Sequence, residues 1–300
     1  MAAERLKRWI ECVPNFSNGR DASFLDDLAR AVRGVAAVRL LDYSADKDHN
    51  RSVYTFAGPP EAVAEAAFAA VRIAVERIDL NDHEGVHPRI GAADVVPFVP
   101  LENVAMSECA DLAHGFANRL WSQLGFPSFL YEKAGTRRLE EVRRAAKAGA
   151  APDIGIGRHP TAGACAVGAR DFLIAWNIWL ETADLEIARR IARSVRFSSG
   201  GFPGVKALGL PLASEGIVQV SINSTDFRAT PLHAIFDAVK ALATSAGVAV
   251  RGSELIGLIP AAALRLSAGH DLGWLNFSGT RVLDPQTWQT ETRETTCRRS

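Results

Sequence analysis

Residues 83–89 combine side chains that can move protons with one that can bind anions. The run is His83-Glu84-Gly85-Val86-His87-Pro88-Arg89. An unperturbed histidine titrates near pH ~6.5, so it can take up or release a proton near neutrality. An arginine binds a carboxylate through two parallel hydrogen bonds. The segment therefore indicates acid–base chemistry on an anionic substrate, with His87 as the proton shuttle and Arg89 as the carboxylate ligand.

Each of these residues also has a purely structural interpretation. His87 could be a loop histidine that only hydrogen-bonds the backbone, and Arg89 could form a structural salt bridge. His83 could assist the shuttle, although an exposed loop residue is its more ordinary interpretation. The residues alone leave these alternatives open.

The same segment matches the H-E-x-x-H pattern of zinc metallopeptidases. In those enzymes a regular helix places two histidines, four residues apart, on one face so that both reach one metal ion. Gly85 costs about 1 kcal/mol in a helix interior, and the residue before Pro88 avoids the helical region. We therefore expect a shaped loop without a metal, and a zinc hydrolase that uses His83, Glu84 and His87 is the alternative hypothesis.

Further polar residues lie at predicted strand ends, where ligands of sheet proteins often bind. They are Asn15, Asn50, Arg51 and Asn223. Asn50 could equally close its own turn through an Asx hydrogen bond. Arg170 and Lys206 could bind carboxylates, although a single cation usually belongs to a solvated face.

Residues 155–163 are rich in glycine and could let the backbone approach a flat ring, or could simply connect two domains. Gly155-Ile156-Gly157 lacks the third glycine of a dinucleotide-binding loop, and His159 is a further candidate ligand. Trp176 and Trp179 follow a strand pattern, for which core or interface packing is a better interpretation than stacking on a ligand.

Composition bounds the class of protein. The chain has 300 residues, is 48% apolar, and balances 34 basic against 34 acidic residues. This length suffices for two modest domains. Zero net charge argues against nucleic acid or an anionic membrane as the main partner. Without an apolar run near the start or a long apolar stretch, we expect neither a signal peptide nor a membrane span.

The cysteines indicate a reducing compartment. Cys12, Cys109, Cys165 and Cys297 are scattered and form no C-x-x-C pair. We therefore predict free thiols and a cytoplasmic protein.

Strand and helix signals alternate along the first half of the chain. The predicted strands are 8–13, 38–43, 52–56, 94–99 and 128–131, and the predicted helices are 23–34, 60–78, 107–124 and 137–147. Ser23 with Asp26 resembles a capping box, Ser107 is a predicted cap, and Gly34 ends the first helix.

The second half has the pattern β-α-β-β-α-β. Its predicted strands are 172–180, 205–210, 217–222 and 248–251 with an extension at 255–258, and its helices lie around 188–195 and 230–242. This order is that of the ferredoxin-like unit. We therefore predict an α+β fold of two tandem ferredoxin-like subdomains, the first with an additional helix and strand. The predicted domains are 1–171, containing an ordered linker at 148–164, and 172–270, followed by a partly disordered tail at 271–300.

Seven blocks of sequence resemble the glutamate formimidoyltransferase family, which includes the transferase half of formimidoyltransferase-cyclodeaminase. They are Glu11–Arg20, Asp48–Phe56, His87–Asp94, His159–Gly163, Val167–Arg170, Val218–Asn223 and Gly252–Gly257. The blocks occur in order across about residues 8–265. A cyclodeaminase half is not expected in this chain.

The resemblance implies transfer of a formimidoyl group from N-formimidoyl-L-glutamate to tetrahydrofolate in histidine breakdown, without a metal. It implies a homodimer, with folate bound in a tunnel between two ferredoxin-like subdomains. The catalytic histidine of the family falls on His87. Its folate-binding segment falls on Gly155, Ile156, Gly157, Arg158, His159, Pro160, Thr161, Ala162 and Gly163.

The chain departs from the family pattern at three positions. Asn18 and Val86 stand where the family usually has Glu, and Ser44 stands where it has an acidic residue implicated in catalysis. Asp42 is our candidate to supply that carboxylate; Asp46 and Asp48 are alternatives. The departures also leave open a folate-binding protein without catalysis, or a formyl transferase.

Overall fold

The computed structural model describes residues 8–47, 50–84, 89–212 and 215–285. The chain divides into two compact units, residues 1–171 and 172–300, and each combines helices with a sheet. The predicted α+β class is confirmed. Among the described helices, none is both long enough and apolar enough to cross a bilayer.

The first unit is built on a seven-stranded sheet. Its strands are β1 (Trp9–Cys12), β2 (Asn15–Phe16), β3 (Arg39–Asp46), β4 (Arg51–Gly58), β5 (Ala93–Glu102), β6 (Ser128–Glu132) and β7 (Cys165–Ala169). Because β1 and β2 both pair with β4 and β5, the spatial order is β3-β4-β1/β2-β5-β7-β6. The strands from β3 to β5 pair antiparallel, whereas β7 is parallel to both β5 and β6.

Four helices pack on this sheet, three on one face and one on the other. They are α1 (Ala22–Arg33), α2 (Pro60–Arg77), α3 (Met106–Leu124) and α4 (Leu139–Lys147). Phe24 of α1, Val71 of α2 and Phe116 of α3 belong to the main core. Val142 of α4 instead joins a separate cluster with Val95 of β5. This second face, which we call the α4 face, carries most of the polar residues predicted for the first unit.

Two predicted helix caps are each wrong by two residues. The cap of α1 is Asp21, whose carboxylate accepts hydrogen bonds from the amides of Ser23 and Phe24 at 2.9 and 3.1 Å. A carboxylate is also favoured at the positive end of the helix dipole, and Asp21 binds Arg77 of α2 at 2.8 Å. Helix α3 begins after Ala105, so Ser107 lies within its first turn. Gly34 follows the end of α1, as predicted.

Strand β7 was not predicted, and the segment before it is not a linker between units. All five residues of β7 are buried. Buried parallel strands lack the alternation of apolar and polar residues that marks an exposed strand. The preceding residues are bonded within the first unit, since Ile154 bridges to Ser128 and Gly163 bridges to Gly91. Residues 148–164 are therefore part of the first unit's own structure.

The second unit has a four-stranded antiparallel sheet. Its elements in chain order are β8 (Ile174–Leu180), α5 (Leu185–Val195), β9 (Val205–Leu212), β10 (Ile217–Ser224), α6 (Leu232–Ser245) and β11 (Val250–Ile256), and the strand order is β11-β8-β10-β9. Buried residues alternate along β8, so one face of the sheet packs inward. Trp176 stacks on Phe236 of α6 at 6.4 Å between ring centres, which confirms core packing for this tryptophan.

The chain continues through ordered structure after β11. The remaining elements are β12 (Ile259–Pro260), α7 (Ala261–Leu266) and β13 (Val282–Leu283), and β12 pairs parallel with β13. The Trp274 ring lies 5.8 Å from that of Trp176, and Leu272 is buried. Residues 271–285 of the predicted tail therefore pack on the second unit, and residues 286–300 lie outside the described part of the chain.

Candidate functional site

The polar residues predicted at the strand ends of the first unit gather on the α4 face. Phe16 and Tyr54 point into the main core, where their rings are 5.7 Å apart. Successive side chains of a strand point to opposite faces. Asn15, which precedes Phe16, therefore lies on the other face with its register partner Val53. Arg51, two residues before Val53, shares that face.

Arg51 and Asn15 are bonded to each other. Nη2 of Arg51 donates to Oδ1 of Asn15, and Nδ2 of Asn15 donates to the carbonyl of Val13 at 2.9 Å. Both ends of the Asn15 amide are therefore engaged, which fixes its orientation. Nε of Arg51 is buried and has no hydrogen-bond partner in the described structure.

A β-bulge in β5 turns Asp94 towards α4. Asn15 pairs with Val95 and Phe16 pairs with Ala93, so Asp94 is an extra residue in its strand. Bulges of this kind re-aim side chains. Asp94 is 3% exposed, accepts from the amide of Ile90 at 2.7 Å, and forms an ion pair with Nη2 of Arg143 at 2.5 Å.

Three arginines surround this carboxylate. Burial lowers the pKa of the Arg51 guanidinium, Asp94 opposes that shift, and Arg143 adds to it. The pKa of Arg89 is lowered for the same main reason, and Asp94 again opposes the shift. Arginine remains charged under such shifts because its ordinary pKa exceeds 12. The α4 face therefore holds a partly buried cationic cluster, which suits an anionic ligand.

His83 is uncharged, and its hydrogen bonds link this cluster to the residue that follows β2. Its Nε2 lies 2.8 Å from the carbonyl of Ser17, which can only accept, so Nε2 carries the hydrogen. Nη1 of Arg89 lies close to both ring nitrogens, and Nδ1, which carries no hydrogen in this tautomer, is the one that can accept from it, at 2.6 Å. Burial, followed by the charge of Arg89, lowers the pKa of His83. His83 and Glu84 lie outside any helix, as expected of a shaped loop.

His87 lies outside the described residues, as do Gly85, Val86 and Pro88. Asn50, which follows β3 and contacts this loop at Glu84, is among the described residues. Its Oδ1 accepts from the amide of Gly19 and its Nδ2 donates to the carbonyl of Glu84, both at 3.0 Å. These bonds reach across the fold, so the side chain joins the loop to its neighbours instead of closing its own turn.

The structure brings the loop after α2 into direct contact with the predicted folate segment. Leu80 donates its amide to the carbonyl of Thr161 at 2.8 Å, and Ala92 donates to that of Ala162 at 2.8 Å. Nδ2 of Asn81 donates to the carbonyl of Pro160 at 3.1 Å. The described ends of the loop that contains His87, residues 80–81 and 90–92, are therefore hydrogen-bonded to residues 160–164, and we call this set of contacts the ladder.

The folate segment itself consists of two differently built parts. Gly155 and Gly157 have φ of +91° and +64°, and between them Ile156 is 80% exposed. After them, His159 and Gly163 close a turn through mutual backbone bonds, and Nδ1 of His159 accepts from the amide of Ala162 at 3.1 Å. Nη2 of Arg158 donates to the carbonyl of Ala146 at the end of α4. The projecting Ile156 offers an apolar contact, whereas Arg158 and His159 hold the segment in place.

Asp42 and Ser44 lie on the exposed edge strand β3. Tyr43 stacks on Tyr54 at 5.2 Å between ring centres, on the main-core face. Its neighbours Asp42 and Ser44 therefore lie on the α4 face, and both are exposed. Asp46 follows on the same face and is the register partner of Arg51. Asp48, the other alternative carboxylate, lies outside the described residues.

Two other predicted residues lie apart from this cluster. Asn223 belongs to the second unit, where it is exposed on β10 beside its register partner Lys206. Arg170 follows β7 and influences Glu11, a carboxyl that is 2% exposed. Burial raises the pKa of Glu11 to about 7, and Arg170 opposes this shift.

Sequence reasoning missed Asp94 and Arg143 as members of the cluster. Asp94 is an acidic residue at the start of an otherwise apolar strand. Arg143 lies at helical spacing from Leu139 and Ala146, on the apolar side of α4. A charged residue in an apolar pattern was thus the available signal in both cases. Their proximity depends on the bulge in β5, which the sequence pattern does not reveal.

Family models and known relatives match most of the chain. The formiminotransferase domain, N-terminal subdomain, matches residues 9–170, and the formiminotransferase domain matches residues 175–273. A glutamate formimidoyltransferase of Streptococcus pyogenes serotype M1 is 43% identical over 85% of this chain and 90% of its own length. One from Thermoplasma acidophilum is 40% identical over 92% of this chain and 96% of its own.

A formimidoyltransferase-cyclodeaminase of Gallus gallus is 42% identical over 86% of this chain, and the match covers 51% of that protein. The blocks of residues that suggested the resemblance fall within these matched ranges. The two domain models together account for most of the sequence, and the first two relatives are matched over nearly their full length. This chain therefore belongs to the formiminotransferase family.

Proposed function

We propose that this protein is a glutamate formimidoyltransferase, which transfers a formimidoyl group from N-formimidoyl-L-glutamate to tetrahydrofolate in histidine degradation. Two glutamate formimidoyltransferases, 40% and 43% identical to this chain over most of its length, support the proposal. Its main structural support is the backbone ladder from Leu80, Ile90 and Ala92 to residues 160–164. That ladder joins the loop of the proposed catalytic histidine to the proposed folate segment.

The reaction is an analogue of acyl transfer. A nitrogen of tetrahydrofolate attacks the amidine carbon of the donor and forms a tetrahedral intermediate. The bond from that carbon to the glutamate nitrogen then breaks, and glutamate leaves as the amine. One proton must leave the attacking nitrogen and one must reach the departing nitrogen. A single acid–base group can carry out both transfers.

We assign that role to His87. His83 is a weaker candidate, because both of its ring nitrogens are engaged and burial disfavours its charged form. Arg89 is proposed to bind a donor carboxylate beside the reacting carbon. Asp42 is proposed to orient the shuttle or to stabilise the developing cation, because it lies on the same face as the cluster.

Tetrahydrofolate is the proposed co-substrate, with residues 155–163 as its proposed contacts. Asn15, Asn50, Arg51 and Asn223 are proposed to contact one of the two substrates. Ile156 is suited to pack on an aromatic ring because it is apolar and 80% exposed. The glycines on either side have positive φ and leave the backbone approachable. The reaction as written needs no metal.

We also propose that each unit contains a ferredoxin-like subdomain. The strand order β11-β8-β10-β9 in the second unit, with helices after its first and third strands, supports a ferredoxin-like subdomain over residues 172–270. The order β3-β4-β1/β2-β5 supports the same arrangement within residues 1–171, extended by β6 and β7. A homodimer and a cytoplasmic location follow from the family resemblance and from the cysteine pattern.

A folate-binding protein without catalysis is the second candidate, because Ser44 replaces an acidic residue of the family pattern. One assay separates the two functions. Purified protein is mixed with tetrahydrofolate and N-formimidoyl-L-glutamate, and the absorbance of 5-formimidoyl- or 5,10-methenyltetrahydrofolate is followed. Turnover supports the transferase, whereas tetrahydrofolate binding without turnover supports the binding protein. Repeating the assay with N-formyl-L-glutamate tests the formyl transferase.

A further inference from the structure

We propose that Arg51 and Arg143, held around Asp94, bind the carboxylates of the donor's glutamate moiety. The inference rests on the proposed function, and it adds Arg143 as a ligand and Asp94 as a positioning residue. Neither residue was predicted from the sequence as a site residue, although Asp94 ends the family block His87–Asp94.

Buried donor atoms supply the first argument. Nη2 of Arg51 is bonded to Asn15 and Nη2 of Arg143 to Asp94, but the Nε atoms of both arginines are buried without a hydrogen-bond partner in the described structure. A buried unpaired N–H of a charged group is costly, and native proteins rarely keep one without a reason. A carboxylate that binds the other nitrogens of these two guanidinium groups would compensate the cost of burying their charge.

Charge supplies the second argument. The charged groups that act on Arg51 are Asp94, Arg143, Asp46 and Arg89. Together with Arg51 they comprise three guanidinium groups and two carboxylates, which leaves one net positive charge. The donor carries two carboxylates and one protonated amidine, which is one net negative charge. Cluster and donor are therefore complementary in charge.

Asp94 explains how the arginine of α4 reaches this position. The bulge in β5 turns the Asp94 carboxylate to the α4 face, where it holds Arg143 at 2.5 Å. The Asp94 side chain is only 4% exposed and also accepts from the amide of Ile90. One carboxylate thus fixes both the start of β5 and the guanidinium of Arg143, so the arginine is already oriented before a ligand binds.

The glutamate of tetrahydrofolate carries the same carboxylate groups as the donor. The position of the cluster nevertheless favours the glutamate of the donor. The donor's α-carboxylate is three bonds from its reacting carbon. In tetrahydrofolate the glutamate is separated from the reacting pterin nitrogens by the aminobenzoyl group. The cluster includes Arg89, which is two residues from His87 in the chain, so it suits the carboxylate that lies beside the reaction.

Calorimetric titration of the whole protein with N-formimidoyl-L-glutamate, and separately with L-glutamate, tests the inference without depending on turnover. We expect Arg143→Gln and Arg51→Gln each to weaken binding of both probes about 10- to 100-fold, the range for a lost hydrogen bond to a charged group. Arg143→Lys keeps the charge but loses the planar fork, so its loss should be intermediate. Arg144→Gln, at an exposed position one residue further along α4, is the matched control and should bind normally.

Kinetics then distinguish the two sources of glutamate. We expect the KM for N-formimidoyl-L-glutamate to rise in the Arg51 and Arg143 variants while the KM for tetrahydrofolate stays unchanged. Arg143→Gln should also lower the melting temperature, because it leaves the buried Asp94 carboxylate unpaired. A rise confined to the KM for tetrahydrofolate would assign the cluster to folate and overturn the inference. Normal probe binding by well-folded variants would also overturn it. If the wild-type protein binds the probes but catalyses no transfer, the proposed function fails and the binding site stands.

Discussion

At the scale of residues, the predicted histidines differ in what their ring nitrogens do. His83 uses both nitrogens, one on Ser17 and one on Arg89. His159 uses Nδ1 to hold its own turn. Neither ring is well placed to exchange a proton with a substrate through those atoms. Of the three histidines that were predicted for the site, His87 is therefore the remaining candidate for the proton shuttle.

We expect His87→Ala to lower kcat by roughly 10²–10⁴, the usual contribution of one general acid–base group. The melting temperature should be unchanged. His114→Ala is the control, because His114 is exposed on α3, far in sequence from the loop. Near-normal turnover in the His87 variant would remove this residue from the mechanism.

Two substitutions can show which residue of β3 supplies the proposed catalytic carboxylate, because the two assignments predict opposite effects on activity. Asp42, Ser44 and Asp46 share one face of the strand. If Asp42 serves, Asp42→Ala should lower kcat by about 10- to 100-fold, as for a lost hydrogen bond to a charged group. Ser44→Asp should then also lower activity, because it adds a like charge nearby. A rise in activity with Ser44→Asp, with no effect of Asp42→Ala, would assign the role to position 44.

Glu11 should make the stability of the protein depend on pH. Burial raises its pKa from 4.5 to about 7, so the folded state keeps a proton that the unfolded state releases. Stability from this group is therefore complete below pH 4.5 and is lost as pH rises to about 7. At about 1.36 kcal/mol per pKa unit, the penalty above pH 7 is on the order of 3 kcal/mol.

Urea unfolding of wild type and Glu11→Gln at pH 5 and pH 8 measures this effect. We expect the variant to exceed wild type in unfolding free energy at pH 8 and to match it near pH 5. An equal difference at both pH values would mean that Glu11 is charged throughout, with Arg170 outweighing its burial.

At the scale of elements, helices and strands with a periodic apolar pattern could be predicted from the sequence. Elements and contacts without such a pattern could not. Helix α1 was recognisable because Leu28, Ala29 and Val32 recur at helical spacing, and all three are buried. Strand β7 is a short buried run without alternation, so no periodicity marks it. The ladder joins segments about 80 residues apart, and no local pattern encodes it.

The close approach of the two segments in the ladder requires a glycine at position 91. A Cβ at Gly91 would overlap the carbonyl of Ala164, which is backbone and cannot rotate away. We expect Gly91→Ala to lower the unfolding free energy by more than about 2 kcal/mol, as overpacking and backbone displacement do. It should also impair transfer, because the loop of His87 is anchored there.

Gly115→Ala is the matched control for this substitution. Gly115 lies within α3, and a Cβ there would meet nothing within 4 Å. Alanine should therefore raise stability by about 0.5–1 kcal/mol. Chemical unfolding of both variants checks the pair. Equal stability of Gly91→Ala and wild type would show that the two segments can separate without cost.

At the scale of the whole molecule, the length of the chain predicts two domains, and the chain divides into two compact units. The net charge of zero does not reveal the cationic cluster, because local excesses cancel over 300 residues. The sequence motifs identified the family and the two segments joined by the ladder. They could not identify Arg143, since its role arises only when α4 packs over the bulge at Asp94.

The proposed homodimer can be tested on the edge strand of the second sheet. Strand β9 ends the order β11-β8-β10-β9, and its Leu208 and Leu210 are 58% and 38% exposed. Apolar side chains on an open edge favour association with another chain, and a charge on the edge prevents it. We expect the wild type to sediment at about twice the 32.3 kDa of one chain, and Leu208→Lys with Leu210→Lys to sediment as a monomer. A monomeric wild type would contradict the dimer. A variant that stays dimeric and folded would mean that association uses another surface.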